Sequence, residues 1–302
     1  MVNNQKHSIY MKYQLSEKEC QDIKNLEDIC YEKQKTNLKL ELDFKMSQRE
    51  NFINNKIMIE FLYYDDETLI GYLGLCNFGR DVVEVSGMVH PEFRRKRIFK
   101  KLYVLAKEEW EKICPSQVLL LCDHTSHSGL SFINSLKAEY ASSEYKMCLN
   151  KHTATNTDSH GIKLRVATRD DAPELYRQDT IYFGLIEKEV DAKKIDENIE
   201  KVYTQTNDDS INYMAELDGK VIGKIRINTA DNEGFIYGFG VLPEFRGKGY
   251  GREALSCALD ILKKKNLKNI FLEVATENKN ALGLYESCGF EEISVMDYFV
   301  VS

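Results

Sequence analysis

Apolar and polar positions in the second half of the chain follow a pattern that predicts a mixed domain of strands and helices. Residues 162–166 and 234–242 read as strands, and residues 213–227 read as a hairpin around a tight Asp-Gly turn. Apolar residues recur at helical spacing over 248–264. The other predicted elements are a helix capped by Thr168, a charged helical region at about 187–206, a strand at 269–274, a short helix at 279–287 and a last strand ending near 300.

The first half of the chain repeats this pattern at a constant offset. VHPEFRRKRIF at 89–99 corresponds to VLPEFRGKGYG at 241–251, and 241 − 89 = 152. The same offset places Ile70 on Ile222 and Val118 on Ile270. We infer a duplication with an α+β fold in each copy. The predicted organisation is a domain at 1–150, a linker at 151–161 and a second domain at 162–302.

Composition and charge narrow the class of protein. The chain has 302 residues, 43% of them hydrophobic, and a net charge of −7, which does not indicate a nucleic-acid-binding protein. The eight cysteines contain no CxxC pair, so we expect reduced thiols and no metal site. The N-terminus lacks the apolar core of a signal peptide, and no apolar run reaches membrane-spanning length. We therefore expect a cytoplasmic protein that does not bind membranes.

Three glycines at alternate positions, Gly247, Gly249 and Gly251, open the predicted helix at 248–264. Glycines at a helix N-terminus bring backbone N–H groups to the surface, where the helix dipole favours an anion such as phosphate. A Walker loop is absent, because no segment matches GxxxxGK[ST]. The dinucleotide-binding pattern GxGxx[GA] does match at residues 249–254, with Glu273 near the ribose-binding position. It follows a predicted antiparallel hairpin, however, which disfavours that alternative.

The whole second copy resembles the GNAT acyltransferase superfamily. The signature [RQ]-x-x-G-x-[GA] of that family corresponds to Arg246, Gly249 and Gly251. The signature N-x-x-A-x-x-L-Y-x-x-x-G-F corresponds to residues further along the chain, namely Asn278, Ala281, Leu284, Tyr285, Gly289 and Phe290. The resemblance covers about 162–302 and extends weakly to the first copy through the repeat. It implies two tandem GNAT-like domains, each with a mixed, mostly antiparallel sheet flanked by helices.

The resemblance implies that acetyl-coenzyme A is the cosubstrate. In this family the loop amides wrap the pyrophosphate, which corresponds here to Gly247, Lys248, Gly249, Tyr250 and Gly251. The backbone of Phe239, Gly240 and Val241 is then expected to pair with the pantetheine arm, and the thioester to lie where strands 234–242 and 269–274 diverge. Arg246 either adds charge near the phosphates or is a solvated loop residue. Asn278 either contacts the cofactor or only caps its helix.

Transfer of an acetyl group to an amine requires a base, an oxyanion donor and an acid for the departing thiolate. Tyr285 matches the general acid of the family. The usual position of the base falls near Phe235, which cannot titrate. Strand alternation places Glu233 on the same face as Phe235, Tyr237, Phe239 and Val241. Glu233, Glu273 with partial burial and a raised pKa, Tyr237 and a bare water chain therefore all remain candidates for the base.

The first copy has lost the residues of both signatures. At the offset of 152, Gly247, Gly249 and Gly251 become Arg95, Arg97 and Phe99, and Tyr285 becomes Ile133. We predict a degenerate copy without ordinary cofactor binding. We interpret the basic run at 94–101 as a solvated loop entering an amphipathic helix. This architecture is similar to that of tandem acyltransferases such as mycothiol synthase.

The sequence predicts an N-acetyltransferase that acts on a small-molecule or peptide amine, with its active site in the second copy. The alternative is a non-catalytic protein that binds acyl-coenzyme A. A dinucleotide-binding oxidoreductase is a third and weaker hypothesis. For assembly, we expect a monomer in which duplication replaces a dimer, or a weak homodimer.

Overall fold

The computed structural model describes residues 7–47, 58–77, 81–150, 160–183, 210–230 and 232–301. The chain divides into two compact units. Unit 1 contains Met1–Glu144 and Ser294–Ser302, and unit 2 contains Tyr145–Ile293. Most of the predicted linker and the predicted helical region at 187–206 lie outside the described residues. Within the described part, no helix is long and apolar enough to cross a membrane.

Unit 1 is a mostly antiparallel sheet with helices on both faces. Strands β1 to β4 pair antiparallel in chain order, and β4 pairs parallel with β5. The elements are β1 His7–Lys12, α1 Glu17–Gln34, α2 Leu42–Ser47, β2 Met58–Asp65, β3 Thr68–Cys76, β4 Val82–Val89, α3 Ile98–Ile113, β5 Gln117–Asp123, α4 His127–Ser135 and β6 Glu139–Leu149, whose last residues belong to unit 2.

Alternation along the strands of unit 1 gives each face of the sheet its own core. Leu73 of β3 packs in the cluster that contains Leu102 of α3. Its neighbour Tyr72 packs in the second cluster, which contains Leu26 of α1. The sheet is therefore buried on both faces, with α1 and α3 on opposite sides.

Unit 2 repeats the same architecture. Strands β7 to β10 pair antiparallel in chain order, β10 pairs parallel with β11, and β6 lies beside β11. The elements are β7 Lys163–Val166, α5 Ala172–Phe183, β8 Ser210–Leu217, β9 Lys220–Ala230, β10 Glu233–Val241, α6 Tyr250–Lys263, β11 Asn269–Ala275, α7 Lys279–Ser287 and β12 Phe290–Val300, whose residues from Ser294 onward belong to unit 1. The predicted mixed, mostly antiparallel fold is confirmed.

Local sequence explains the elements that frame the loop of glycines. The predicted hairpin turn forms at Asp218 and Gly219, which have positive φ angles of 51° and 77°. Helix α6 buries its apolar stripe, including Leu255 and Leu259, against Ile225 of β9. Helix α5 packs on the other face, where Leu175 meets Met214 of β8. Two helices therefore cover opposite faces of the sheet of unit 2.

Candidate functional site

The predicted anion-binding loop forms between β10 and α6. A short 3₁₀ turn at Pro243–Phe245 leads from the strand to Arg246, and α6 begins at Tyr250. Gly247 and Gly249 have φ angles of 73° and 83°, in the left-handed region that favours glycine. Gly251 lies within the helix, and a Cβ there would meet its nearest neighbour at 3.5 Å. The backbone conformation therefore favours glycine at two of the three positions and not at the third.

The loop presents a row of unused backbone donors. Glu253 makes the first hydrogen bond of the helix, from its N–H to the carbonyl of Gly249 at 3.2 Å. Among the residues that the structure describes, none accepts a hydrogen bond from the backbone N–H groups of 247–252. These donors point from the N-terminus of a long helix, where the helix dipole adds positive potential. The arrangement is suited to binding an anion with several oxygens.

The two cations of the loop are directed to protein partners. Arg246 donates from Nε to the carbonyl of Val241 at 2.8 Å, which ties the loop to the end of β10. Arg94 makes the same bond to Val89 at 3.0 Å in unit 1. Lys248 donates from Nζ to the carbonyl of Glu244. Because the degenerate loop keeps its arginine bond, that bond belongs to the fold of the turn.

A buried carboxylate joins the helix that carries the loop to the chain segment before β7. Glu253 in the first turn of α6 is buried and accepts backbone N–H bonds from His160, Gly161 and Ile162 at 2.7, 3.1 and 3.1 Å. Burial alone would raise the pKa of this carboxyl, but the three backbone donors and the His160 side chain hold it below its usual value. The bonds anchor the chain entering β7 to the helix that carries the loop. Sequence analysis did not identify this role.

Strand β10 has a β-bulge that reverses the predicted side-chain faces. Its register with β9 shifts between Tyr237 and Gly240, and Gly238 there has a φ angle of 52°. Before the bulge, the rings of Phe235 and Tyr237 stack with centroids 6.0 Å apart. After it, Phe239 packs against the cores that α6 buries. The prediction that Phe239 shares a face with Tyr237, Phe235 and Glu233 is wrong, because the bulge inserts an extra residue.

The sheet of unit 2 opens beside this bulge. Strands β10 and β11 pair from Glu233 and Asn269 as far as Ile236 and Leu272, and no later pair forms although both strands continue. The backbone of 237–241 keeps β9 on one side. On its other side, within the described part of the chain, it has no strand partner. We call this opening the split, and it lies where the sequence predicted divergence.

Tyr285 lies next to the split on the face covered by α6 and α7. Its ring centroid is 6.4 Å from that of Phe239 and 6.1 Å from that of Phe290. The side chain is buried, and burial raises the pKa of the phenol to about 12. No described residue accepts a hydrogen bond from its hydroxyl. Tyr285 is thus a protonated donor at physiological pH.

Asn278 caps α7. Its side-chain oxygen accepts from the N–H of Ala281 at 3.2 Å, and Ser126 in unit 1 caps α4 in the same way by accepting from Gly129. A shared cap in the degenerate copy favours the structural alternative for Asn278. Contact of its amide group with a cofactor stays a prediction.

The two predicted carboxylate bases lie in different places. Glu233 begins β10 and accepts from Asn269 at 3.0 Å. It precedes Phe239 by six residues, which is about 20 Å along a strand, so it does not lie beside Tyr285. Glu273 is exposed, and its predicted partial burial is wrong. Glu273 directly follows Leu272, the last paired residue of β11, and Tyr237 directly follows Ile236, the last paired residue of β10. Glu273 and Tyr237 therefore flank the mouth of the split.

The face of the sheet opposite Tyr285 carries charged residues that sequence analysis missed. Lys224 of β9 is buried and forms an ion pair of 2.5 Å with Asp179 of α5. Arg226, two residues on, donates from Nε to Asn212 of β8 at 3.2 Å. The ring of Tyr182 lies directly against Gly240, where any Cβ would overlap it. Lysine and arginine at alternate positions of an otherwise apolar strand were the signal available in the sequence.

The loop of unit 1 keeps the backbone path without the glycines. Arg95 and Arg97 have φ angles of 65° and 62°, close to those of Gly247 and Gly249. Phe99 packs edge-to-face against Phe132 with centroids 4.8 Å apart. Ile133, which replaces the tyrosine, is buried in the core. Unit 1 therefore has side chains where unit 2 has glycines and an aliphatic residue where unit 2 has a phenol, which supports the prediction of a degenerate copy.

No group of three or more metal-ligating side chains is placed to bind an ion in the described ranges. Near the split, the described residues of unit 2 offer backbone donors, the buried phenol of Tyr285 and the charged residues across the sheet.

Comparison with known proteins finds a family model that matches part of the second half of the chain. Residues 172–290 match the family model described as acetyltransferase (GNAT) family. A segment of 64 residues is 38% identical to the uncharacterized N-acetyltransferase YycN of Bacillus subtilis (strain 168), covering 21% of this chain and 41% of that protein. The segments shared with the first curated relatives span 41% to 60% of their own lengths.

Two solved structures match the fold over nearly the whole chain. A GCN5-related N-acetyltransferase from Sphaerobacter thermophilus gives a TM-score of 0.75 at 16% identity, covering 97% of this chain and 95% of that one. A tandem GNAT protein from the clavulanic acid biosynthesis pathway gives a TM-score of 0.72 at 14% identity, covering 98% of each chain. At these identities the likeness establishes the fold. The expected tandem GNAT architecture is confirmed, whereas the likeness to mycothiol synthase stays a prediction.

Proposed function

We propose that this protein is an acetyl-coenzyme A-dependent N-acetyltransferase whose active site lies in unit 2, and the match of residues 172–290 to the GNAT acetyltransferase family model supports the proposal. The observation that carries the proposal is the row of free backbone donors at 247–252, next to the split and to Tyr285. A pyrophosphate offers enough oxygens to satisfy these donors, and the helix dipole favours its charge.

The pantetheine arm enters the split. Its amides can pair with the open backbone edge of 237–241, which has β9 on its other side only. Phe239 and Val241 then face α6, and the thioester lies beside Tyr285. The predicted cofactor residues Phe239, Gly240, Val241, Gly247, Gly249, Tyr250 and Gly251 keep their roles in this proposal, whereas Arg246 and Lys248 act by holding the turn.

The acceptor approaches at the mouth of the split, where the side chains of Tyr237 and Glu273 are exposed. The amine nitrogen attacks the thioester carbon, the C–N bond forms, and the C–S bond breaks with its electron pair left on sulfur. Tyr285 donates a hydrogen bond to the departing thiolate. The proton lost by the amine passes to water at the mouth of the split, where Glu273 and Tyr237 are the nearest candidates to receive or orient it.

Calorimetric titration of acetyl-coenzyme A followed by a thiol-release assay with primary amines tests the proposal. We expect one binding site, lost when Gly249 is replaced by arginine, and turnover that depends on Tyr285. Two sites would contradict the assignment of unit 1 as degenerate. Absence of binding would contradict the proposed function itself.

One observation favours a second candidate, a non-catalytic acyl-coenzyme A-binding protein. Phe235 occupies the position where a base was expected, and Glu273 is exposed. Unimpaired binding of acetyl-coenzyme A without turnover of any small or peptide amine would support this second function and exclude the first.

A further inference from the structure

His160 lies at the N-terminus of α6, next to the loop that the proposed function assigns to the pyrophosphate. A Cβ at Gly249, the N-cap of this helix, would lie 3.0 Å from Cε1 of the imidazole and 3.3 Å from its Nε2. The ring also meets that of Tyr250 edge-to-face, with centroids 5.7 Å apart. The edge of His160 formed by Cε1 and Nε2 therefore faces the residue that precedes the amides of Tyr250 and Gly251.

Glu253 fixes the orientation of this imidazole. Its Oε2 lies 3.2 Å from Nδ1 of His160 and accepts the backbone N–H of the same residue at 2.7 Å. Against the effect of burial, the backbone donors hold the pKa of the carboxyl below its usual value, so at neutral pH Glu253 is ionised and accepts hydrogen bonds. Nδ1 therefore carries a hydrogen. In the part of the chain that the structure describes, no residue bonds Nε2, and the side chain is 38% exposed.

The charge of the imidazole decides what Nε2 offers to an anion. In the neutral ring with its hydrogen on Nδ1, Nε2 is an acceptor, and its lone pair repels a phosphate oxygen. In the protonated ring Nε2 carries a hydrogen and donates it. A protonated ring between Glu253 and a phosphate oxygen makes a charge-assisted hydrogen bond on each side. An anion at the loop therefore favours the protonated ring.

The groups around the ring differ in how they titrate. Glu253 and Tyr250 contact the ring from α6, and Cys257, one turn further along, donates from its thiol to the carbonyl of Ile162. Burial raises the pKa of that thiol. The basic groups of the loop, of the first turn of α6 and of the start of β7 are Arg246, Lys248, Arg252 and Lys163. Histidine is the side chain whose ordinary charge change falls between about pH 5 and 8.

The pairing of His160 with Glu253 is not a requirement of the fold that the two units share. At the offset of 152, Glu253 corresponds to Lys101 of α3. The Nζ of Lys101 donates to the hydroxyl of Tyr63 at 3.3 Å. The carboxylate that orients the imidazole therefore occurs in the copy whose loop has glycines, and the degenerate copy has a cation in its place.

We propose that His160 is a further binding residue of the pyrophosphate site, so that its protonated imidazole donates from Nε2 to the bound anion and binding of acetyl-coenzyme A is coupled to uptake of a proton. An anion that accepts from the first amides of α6 lies at the N-cap end of the helix, where the ring also lies. The proton comes from the buffer, and no bond of the ligand breaks. This inference rests on the proposed function and adds to it a binding residue and a pH dependence.

Calorimetric titration in two buffers of different ionisation enthalpy counts the protons taken up on binding. The ligand is the acetyl thioester of 3′-dephospho-coenzyme A. It keeps the pyrophosphate and lacks the phosphate monoester, whose own second pKa of about 6 would add proton exchange. We expect uptake of about half a proton per site at about pH 7. Between about pH 6 and about pH 8.5 the affinity should fall by about fivefold or more, which is the effect of one charge-assisted hydrogen bond.

Three variants locate the coupling. His160→Gln does not titrate, and we expect it to bind without proton uptake and to lose the higher affinity at about pH 6. His160→Lys keeps a positive charge throughout this range, so we expect the higher affinity at both pH values, again without uptake. His127→Gln removes an exposed histidine of unit 1 and is the matched control, which keeps the wild-type uptake. The wild-type uptake tests the coupling even where a variant fails to fold.

The outcomes separate this inference from the proposed function. Proton uptake that persists in His160→Gln overturns the role of His160. An affinity of the wild type that is independent of pH, without proton uptake, overturns the coupling and leaves the acetyltransferase intact. Absence of binding of both acetyl-coenzyme A and its dephospho analogue at every pH overturns the proposed function and this inference with it.

Discussion

Replacing Gly249 by arginine transfers the residue of the degenerate loop into the intact one. Gly249 has a φ angle of 83°, and a side chain in this region costs about 1 kcal/mol relative to glycine. Its Cβ would lie 3.0 Å from Cε1 of His160, which requires a small movement of that ring. We expect the free energy of unfolding to fall by about 1–2 kcal/mol. Arg97 already adopts the equivalent conformation in unit 1, so the variant is expected to fold.

The effect on binding is expected to be larger than the effect on stability. An added side chain at the N-cap position would crowd the approach to the N–H groups of Tyr250 and Gly251, two of the free donors of the loop. A hydrogen bond to a charged oxygen contributes about 1.5–3 kcal/mol, so loss of two such bonds costs at least about 3 kcal/mol. This corresponds to a decrease in affinity of more than about 100-fold. Calorimetric titration of acetyl-coenzyme A measures it directly.

Arg97→Gly is the matched control in unit 1. Relief of the left-handed conformation is partly offset by the greater entropy of glycine in the unfolded chain, so we expect stabilisation of about 0.5–1 kcal/mol. No second binding site is expected, because Arg95 and Phe99 still stand where unit 2 has Gly247 and Gly251. A dissociation constant for Gly249→Arg within threefold of the wild-type value would refute the assignment of the loop.

Three further changes test other parts of the structure. Tyr285→Phe removes a phenol whose pKa of about 12 is higher than the pKa of an ordinary thiol. Because of this difference, the phenol donates a hydrogen bond to the departing thiolate more readily than it transfers its proton. We expect kcat to fall by about 10- to 100-fold with little change in the affinity for acetyl-coenzyme A. Glu253→Gln weakens the three backbone bonds of the carboxylate, and chemical denaturation should show a loss of about 2 kcal/mol at neutral pH. The pKa of Glu253 is lower in the folded state than in the unfolded state. Its contribution to the free energy of unfolding is therefore complete above the unfolded-state pKa and is lost as the pH falls through the folded-state pKa. The stability difference between variant and wild type should shrink in acid, and a difference that grows would contradict this account. Lys45→Met leaves Glu60 buried without its cation and should destabilise unit 1 by about 3–5 kcal/mol in urea unfolding, whereas an unchanged midpoint would refute a contribution of this ion pair to stability.

Periodicity was sufficient to predict the elements that bury a continuous apolar stripe. The helix expected at 248–264 forms at Tyr250–Lys263, and the short helix at 279–287 forms at Lys279–Ser287. Both have well-defined ends, the first at glycines with positive φ and the second at the Asn278 cap. The two signature patterns lie at the starts of these helices, which is why the resemblance to the GNAT family could be recognised from the residues.

Alternation along a strand failed at the one place where the strand is irregular. The face assignment from Val241 back to Glu233 assumed two residues per repeat, and the bulge between Tyr237 and Gly240 breaks that repeat. Gly238 and Gly240 were the signals in the sequence, since glycine within a strand often marks a bulge or a close approach. Both occur here, because Gly238 has a positive φ angle and Gly240 contacts the ring of Tyr182.

The two copies together separate what the backbone of the loop requires from what a ligand requires. Unit 1 keeps the 3₁₀ turn, the arginine bond to the strand and the positive φ angles, although arginines stand at 95 and 97. The strand, the turn and the helix therefore set the path of the loop. Each non-glycine residue that adopts a positive φ angle in this loop costs about 1 kcal/mol of stability. Glycines at 247 and 249 remove that cost, and they also leave the amides accessible, which the fold does not need. Because the loop geometry is present in both units, the identity of these side chains, and not the shape of the loop, is what distinguishes the proposed phosphate site of unit 2 from the corresponding loop of unit 1.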